Sequence, residues 1–422
     1  MATDQQPHAT LGLPSTGWRA TFSSLRYPSF RLLWTTTVLS AGGNWIQQIT
    51  LSWLAWEMTE SPIKVAVVLG LRTIALLGSP LAGVIADRFD RRKVMMIDHL
   101  GLMLIAVAFA VVILADQLEE WHLYAFAFVG GIGWAMNNPV RQVLVGNSVP
   151  REELTNAIAL NSMGFNTMRM VGPLVGGQLI WLFGPGVNFL IQAILYVVVF
   201  FALIPYRPMS QPTRTVREPG EKGPGLGDGF AYIAKHPTLL TLVIVTFMLT
   251  FTMMAFITTQ IPFYADRVLG DDTGRAIGYL FFSMGAGGLL GTFVLARFST
   301  FKRKGLLSIF GVVGAGVTLL ILAQIHVLWL AMVMLAINQL FFNIVMITNN
   351  VVLQSTVPNE VRGRVIGVYM LDIGLQPAGG VIAGFLVATT SLAIAWTVGA
   401  TAGLIGVGIV VLAAPGFRKL RL

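Results

Sequence analysis

The sequence alternates between long apolar runs and short polar breaks along almost its whole length. Each run is close to the roughly 20 apolar residues that a helix needs to cross the hydrocarbon core of a bilayer. The runs fall at residues 31–56, 62–86, 94–114, 122–145, 154–181, 186–206, 238–265, 275–296, 305–325, 328–352, 362–388 and 391–413. The pattern therefore predicts an all-α membrane protein with twelve transmembrane helices.

Basic residues are distributed unevenly among the polar breaks. If the N-terminus is cytoplasmic, the segments on that side carry 22 of the 28 Lys and Arg residues, and the opposite segments carry 3. The other three lie inside apolar runs and are Arg72, Arg141 and Arg169. The positive-inside rule then predicts that both termini are cytoplasmic. We expect the protein in the cell (inner or cytoplasmic) membrane.

The longest polar break, residues 207–236, is rich in Pro, Gly, Thr and charge, a composition typical of a flexible linker. Val-Pro pairs at 149–150 and 357–358, and Arg-Phe pairs at 88–89 and 297–298, recur at almost the same offset. A duplicated unit of six helices is typical of transporters whose substrate site lies between the halves. The predicted organisation is an N-terminal tail (1–28), a six-helix bundle (29–206), the linker (207–236), a second six-helix bundle (237–414) and a tail (415–422).

Composition narrows the function class further. The chain is 55% hydrophobic and 11% charged, with a mean hydropathy of +0.74, whereas soluble domains carry roughly 25% charged residues. The net charge of +9 is accounted for by the cytoplasmic segments, so no nucleic-acid partner is expected. There are no cysteines, and the five histidines are scattered, so we expect no metal, no cofactor and no enzyme activity. No Gly-x-x-x-x-Gly-Lys-Ser/Thr motif of an ATP-driven pump is present.

Two motifs carry a family resemblance. Residues 83–93 read Gly-Val-Ile-Ala-Asp-Arg-Phe-Asp-Arg-Arg-Lys, which resembles the Gly-x-x-x-Asp-Arg-x-Gly-Arg-Arg-Lys/Arg loop of the major facilitator superfamily, with Asp90 in place of the second Gly. Gly172, Pro173, Gly176 and Gly177 match the Gly-Pro-x-x-Gly-Gly core of a helix-five motif associated with antiporter-type exporters. With Asn-Pro-Val-Arg-Gln at 138–142, the chain resembles the branch that contains the enterobactin exporter and the macrolide efflux proteins.

This resemblance implies two helical bundles around a central cavity that opens alternately to each side of the membrane. Helices one, four, seven and ten would line the cavity, and proton entry would drive export. It also implies a cytoplasmic gate in which Asp87, Arg88, Arg91 and Arg92 take part, with Asp87 facing the start of helix eleven. A helix N-terminus attracts a carboxylate, which makes that contact reasonable. The alternative is that these cations only set the topology.

Ionisable residues inside a membrane are costly and point to function. Asp372 lies about 15 Å along helix eleven, and Arg72 lies at a similar depth in helix two. Because the implied fold packs these helices together, we hypothesise that the two side chains approach each other and that protonation of Asp372 weakens the pair. A static pair, or no contact at all, are the alternatives. Arg169 precedes Pro173 by four residues and could donate to carbonyls that the proline frees. Contact with substrate or with Asp372 is the alternative.

Polar residues on single helix faces suggest a substrate pathway. Trp134, Asn137, Asn138 and Arg141 share one face of helix four, which should not face lipid. Uncharged amides with aromatic and Met side chains suit an amphipathic organic substrate. The amides assigned to the pathway in other helices are Asn44, Gln48 and Asn343. Buried amides also join helices, and that role stays open for each of them.

Asp98 and His99 come near the predicted cytoplasmic start of helix three. We expect both to be interfacial and solvated. Support of the 83–93 loop by Asp98 is the alternative.

Together these features predict a secondary active transporter that exports a small drug-like or siderophore-like molecule by alternating access, in antiport with protons. The alternative is import of a small solute by symport or facilitated diffusion. The expected partners are the lipid bilayer, the small-molecule substrate and the proton. Each chain already contains both halves, so a monomer is expected.

Overall fold

The computed structural model describes residues 22–75, 89–209, 226–297, 301–418 and 420. These residues are almost entirely helical, and none of them forms a strand, as the sequence predicts. The long helices are α1 (Pro28–Thr59), α2 (Pro62–Ile74), α3 (Arg91–Leu114), α4 (Glu120–Gly146), α5 (Leu154–Phe183), α6 (Pro185–Leu203), α7 (Pro237–Val268), α8 (Arg275–Arg297), α9 (Lys304–Leu322), α10 (Leu328–Thr356), α11 (segments Asn359–Tyr369 and Asp372–Thr389) and α12 (Leu392–Ala413).

Among the described residues, eight helices are long and apolar enough to cross a membrane by length and composition. They are α3 and α6 to α12. Large apolar side chains on their outer faces are widely exposed, as Ile97, Leu104 and Val111 show along one stripe of α3. A stripe of this kind is stable against lipid and not against water. The chain is therefore a multi-pass membrane protein.

Local sequence explains where several helices begin. Pro28, Pro62, Pro185 and Pro237 each occupy the first turn of a helix, where a missing N–H costs nothing and the fixed φ angle suits the helix. Ser61 caps α2 by accepting the backbone N–H of Lys64. The helix starts therefore follow from proline and cap positions that are visible in the sequence.

Within the first half of the chain, α1 packs on α5 and α6, α2 on α4, and α3 on α6. In the second half, α8 packs on α10, α9 on α10 and α12, and α7 on α11 and α12. The two halves meet through α2 with α11 and α5 with α8. Two helix pairs thus form most of the boundary between the halves.

The helix ends define two sides. Ser29 Oγ donates to the Arg207 carbonyl at 2.6 Å, which joins the start of α1 to the chain after α6. We call this the basic side, because the segments that hold most of the cations lie there. The side where α1 ends is called the opposite side, and there Lys64 pairs with Glu120 at 2.7 Å.

On the opposite side, the halves are joined by polar contacts. The indole N–H of Trp56 donates to Asp266 Oδ2 at 2.9 Å, and that of Trp53 donates to the Asp272 carbonyl at 3.2 Å. Glu60 forms an ion pair with Arg267. These contacts close the opposite side of the boundary.

Part of the predicted flexible linker is helical. Residues 210–225 lie outside the described part of the chain, but Leu226–Lys235 forms a helix that packs on α11. Arg364 donates to Asp228 at 3.1 Å, and Ile233 is buried. The prediction of flexibility is wrong for this segment, because its apolar residues recur on one face and bury against α11.

Candidate functional site

Two cavities lie in the described part of the protein. The first, about 380 Å³, is enclosed by α1, α3, α4, α5 and α6 and is called the N-terminal cavity. The second, about 340 Å³, lies between the halves and is called the central cavity. Trp134 and Phe165 line both. The two spaces therefore share a wall that is largely aromatic.

The N-terminal cavity lies toward the basic side. Its lining includes Gln142, Ser162 and Asn166, which are exposed although they point to the interior. These residues lie in the halves of α4 and α5 that are nearer the basic side. The cavity is therefore accessible from the basic side.

Most of the predicted pathway residues line these cavities. Asn44, Trp134, Asn137 and Arg141 line the N-terminal cavity, and Gln48 lines the central cavity. The common face of Trp134, Asn137 and Arg141 on α4 is thus turned inward. The side chain of Asn138 lies outside the described part of the structure.

Asn343 is placed differently from the prediction. It lines neither cavity. Its amide donates to the Gln339 carbonyl of its own helix at 3.1 Å, and its side chain packs where α8 presents Gly288 and Gly291. A place for Asn343 in the pathway stays a prediction, and in this structure the half-buried residue lies where the small residues of α8 let α10 approach closely.

Arg72 is held deep in the protein. Its exposed fraction is 4%, and one terminal nitrogen donates to the Asn44 side chain. The guanidinium carbon lies 5.7 Å from the ring centre of Trp134, a distance compatible with a cation–π contact. The other terminal nitrogen, Nη1, is buried and has no hydrogen-bond partner in the part of the chain that the structure describes.

Asp372 lies where two helices are irregular. It begins the second segment of α11 after a turn at Met370, so its carboxylate sits at a helix N-terminus, which favours negative charge. Thr250 donates to Asp372 Oδ2 at 3.3 Å from a π-helical turn of α7 at Thr250–Met254. Such turns often mark functional positions.

Arg72 and Asp372 line the same central cavity, but no ion pair joins them among the described residues. Arg72 binds Asn44 instead, and Asp372 binds Thr250. Of the predicted approach, this structure shows only that the two side chains line the same cavity. The reason is that each charge finds a nearer polar partner on a neighbouring helix of its own half.

Arg169 also lines the central cavity. Its guanidinium lies 5.6 Å from the ring centre of Trp45, and no hydrogen bond or ion pair to its side chain occurs among the described residues. The proposed donation to carbonyls near Pro173 is therefore absent. The side chain extends toward the cavity and not back along α5.

Asp98 and His99 are buried, contrary to expectation. The side chain of Asp98 is 5% exposed, and Asn137 donates to it at 3.1 Å. His99 Nδ1 donates to the Met95 carbonyl at 2.8 Å, so Nε2 accepts from Ser40 Oγ at 2.8 Å. Polar residues on the facing helices make this burial possible. The contact of Asp98 with Asn137 depends on how α3 packs against α4, and no spacing within α3 indicates it.

The glycines of the helix-five motif lie where α5 approaches other helices closely. A side-chain carbon at Gly172 or Gly176 would meet Trp45 or Ile49 of α1 within 2.7 Å. At Gly177 it would lie 2.9 Å from Gly278 Cα of α8. The glycines therefore allow α5 to pack against α1 and the other half at once. Pro173 lies inside the helix, and its carbonyl faces α8.

The predicted gate is described only in part. Asp87 and Arg88 lie outside the described residues. Asp90 caps α3 by accepting the backbone N–H of Lys93 at 3.0 Å, which explains a carboxylate at the position where the motif has Gly. Arg92 donates through Nε to the Leu203 carbonyl at 2.8 Å, at the end of α6. Arg91 also begins α3.

A family model described as transmembrane secretion effector matches residues 19–418. The chain belongs to the transmembrane secretion effector family. This member is 27% identical over 359 residues to the multidrug efflux pump Tap of Mycolicibacterium fortuitum, covering 82% of this chain and 86% of the pump. It is 23% identical over 357 residues to the enterobactin exporter of Shigella flexneri, covering 83% of each.

Among solved structures, this secretion effector is similar to a bacterial homolog of the human lysosomal transporter Spinster in an inward-facing and unoccupied conformation. The TM-score is 0.70 at 18% identity, over 93% of this chain and 96% of the other. At this identity the likeness shows the fold, which is that of the major facilitator superfamily. Family and fold together make the chain a membrane transporter and not an enzyme, and they confirm the predicted resemblance.

Proposed function

We propose that this transporter exports a small amphipathic organic molecule across the cell membrane by alternating access, in antiport with protons. It would do so as a monomer with twelve transmembrane helices, two six-helix bundles and both termini in the cytoplasm. The observation that carries the proposal is the central cavity. It lies between the halves, where α7 and α11 are irregular, and is lined by Arg72, Arg169 and Asp372.

The distribution of contacts supports alternating access. The halves are joined on the opposite side by Trp53, Trp56 and Glu60, and the N-terminal cavity is accessible from the basic side. With the basic side in the cytoplasm, this arrangement corresponds to an inward-facing state. Substrate would enter from the cytoplasm and leave after the opposite side opens. The loop residues Asp87, Arg88, Arg91 and Arg92 would then close the cytoplasmic side.

The lining supports an amphipathic substrate. Trp134 and Phe165 offer aromatic faces, Met254 offers a polarizable surface, and Gln48 and Asn137 offer amides. The names of the relatives agree with this choice, since one is a multidrug efflux pump and another an enterobactin exporter. Both names also favour export over the alternative of nutrient import.

Asp372 is the best candidate for the coupling proton. It is a carboxylate in the central cavity, on a helix that contacts α2 of the other half. Protonation would remove its charge, and deprotonation would restore an attraction to Arg72 or Arg169 in the same cavity. A charge change at this boundary can therefore bias the packing of α11 against α2.

Inside-out membrane vesicles test the proposal. With an acidic lumen, antiport predicts uptake of substrate, so a panel of lipophilic dyes, macrolides and catecholate siderophores would be followed with and without the gradient. We expect gradient-dependent uptake of at least one compound, abolished in Asp372→Asn. Asp116→Asn is the matched control, because Asp116 is an exposed loop residue with φ of 56°, which Asn also tolerates.

The outcomes separate the parts of the proposal. Uptake retained in Asp372→Asn would leave antiport standing and remove Asp372 from coupling. Gradient-driven movement of a compound out of these vesicles would contradict export and support the importer. Equal loss in the Asp116 control would indicate that the assay reports protein yield and not transport.

A further inference from the structure

Four residues of the cavity walls carry buried hydrogen-bond donors that have no acceptor among the described residues. They are Asn44 Nδ2, Trp45 Nε1, Arg72 Nη1, and Nε and Nη2 of Arg141. All four residues line one of the two cavities. The unpartnered buried side-chain atoms of the cavity walls are thus all donors.

Such donors are unusual in folded proteins. The large majority of buried side-chain polar atoms have a hydrogen-bond partner, either a protein group or an ordered water. An arginine cannot relieve the cost by losing its proton, since it stays charged in proteins. Arg72 and Arg141 are 4% and 6% exposed. The cavity walls therefore contain hydrogen-bond donors for which the described side chains provide no acceptor atoms.

The charged residues of the two cavities also indicate a site for acceptor groups. Three guanidinium groups line them, those of Arg72, Arg141 and Arg169, and one carboxylate, Asp372, does so. A second carboxylate, Asp98, lies behind Asn137 and within electrostatic range of Arg141. Even with both carboxylates ionised, the positive charges exceed the negative ones.

The positions of the cations suit a molecule with a charged group and an apolar body. The guanidinium carbon of Arg72 lies 5.7 Å from the ring centre of Trp134. Arg141 lies about 10 Å from Trp134 along α4. Trp134 and Phe165, which line both cavities, provide an apolar surface.

We propose that the exported molecule is an amphipathic organic anion, whose carboxylate or similar anionic oxygens are bound by Arg72 and Arg141 while its apolar body packs on Trp134 and Phe165. This inference rests on the proposed transport function and narrows its substrate class. Guanidinium groups bind carboxylates with paired, charge-assisted hydrogen bonds. An anion would also balance the excess positive charge of the residues that line the two cavities.

The test uses the full-length protein in phosphatidylcholine nanodiscs and a pair of matched probes, pyrenebutyrate and the uncharged pyrenebutanol. Equilibrium dialysis gives both dissociation constants after subtraction of empty discs. We expect the wild type to bind pyrenebutyrate at least about tenfold more tightly than the alcohol, or about 1.4 kcal/mol. Arg72→Gln and Arg141→Gln should each remove most of this preference without weakening pyrenebutanol binding.

Arg151→Gln is the control, because it removes an exposed cation from the same side without touching either cavity. Equal affinity of the wild type for the two probes overturns the inference, and this arm needs no variant. Equal weakening of both probes in the arginine variants also overturns it. Loss of pyrenebutyrate binding when the discs contain phosphatidylglycerol would assign the donors to a lipid head group and overturn it as well.

The inference and the transport proposal fail separately. Proton-driven uptake of neutral or cationic dyes, with no pyrenebutyrate preference, overturns the anion inference and keeps the exporter. Arginine-dependent binding of pyrenebutyrate without any gradient-driven uptake supports the anion site and contradicts the exporter.

Discussion

The contact between Gly278 of α8 and the helix-five motif gives a sharp prediction. A side-chain carbon at residue 278 would lie 2.8 Å from the Pro173 carbonyl oxygen and 3.1 Å from Gly177 Cα. Real carbon atoms in this position essentially never approach within 3.0 Å. In Gly278→Ala, α5 and α8 must therefore separate near the opposite side.

The size of the effect follows from the strain. Inserting one carbon into a well-packed contact costs about 1–3 kcal/mol. The strain acts where the halves meet, so it penalises the state in which the opposite side is closed. The closed population relative to the open one should therefore fall by about 5-fold to 150-fold.

Distance measurements between spin labels can report this shift. The chain has no cysteine, so introduced thiols are the only labelling sites. One pair, Gln117 and Gln324, lies in exposed loops of the opposite side, and the other, Glu152 and Lys302, lies in exposed loops of the basic side. In Gly278→Ala we expect the first pair to gain a longer-distance population and the second pair to lose one.

Gly408→Ala is the matched control, because a side-chain carbon there meets nothing within 4 Å. It should reproduce the wild-type distances at both pairs. Identical distance distributions in Gly278→Ala and Gly408→Ala would refute the reasoning, because they would show that the glycine contact does not hold the opposite side closed.

Three further predictions follow from single contacts. Asp90→Ala removes the cap of α3 and should cost about 1 kcal/mol, seen as a lower thermal midpoint of the purified protein. Asn349→Ala removes the 3.0 Å hydrogen bond to Thr246 and the 2.9 Å hydrogen bond from Ser308, and each loss should cost about 0.6–1.7 kcal/mol in the same measurement. Trp56→Phe loses the hydrogen bond to Asp266 but keeps an aromatic ring. The state with the opposite side closed should lose about 1 kcal/mol of stability, which raises the population of the open state several-fold.

Two of these predictions have a control variant, and the third has an outcome that would contradict it. Asp90→Asn keeps a good capping side chain and should melt like the wild type. An unaltered midpoint in Asn349→Ala would show that this buried amide does not join α10 to α7. Trp121→Phe changes an exposed tryptophan and should leave the label distances unchanged, and the same result for Trp56→Phe would contradict the role assigned to that bond.

The periodic features of the fold could be predicted from the sequence. Helix positions followed from the length of apolar runs and from prolines at the first turn. The inward face of α4 followed from the spacing of Trp134, Asn137 and Arg141, since a helix has one geometry whatever surrounds it. The same polar residues lower the hydropathy of α4, which is not among the helices that meet the criteria for a membrane span.

Contacts between helices could not be predicted in this way. The observed position of a polar side chain depends on the partner that it meets on another helix. This holds for Asn343, for Asp98 and for the pair Arg72 and Asp372. Asn44 is the nearest acceptor for Arg72, and no spacing within one helix indicates that choice. The glycines of the helix-five motif were recognisable as a motif, but their two separate neighbours, α1 and α8, became clear only from packing.

The proposed coupling is tested most directly by proton movement through the purified protein. The protein would be reconstituted into liposomes containing a pH-sensitive dye, with no pH gradient imposed, and a compound transported in the vesicle assay would be added outside. Antiport predicts that its inward movement acidifies the outside and alkalinises the lumen in wild type, and that Asp372→Asn abolishes the signal. Substrate entry without any change in luminal pH, or with acidification of the lumen, would contradict proton antiport.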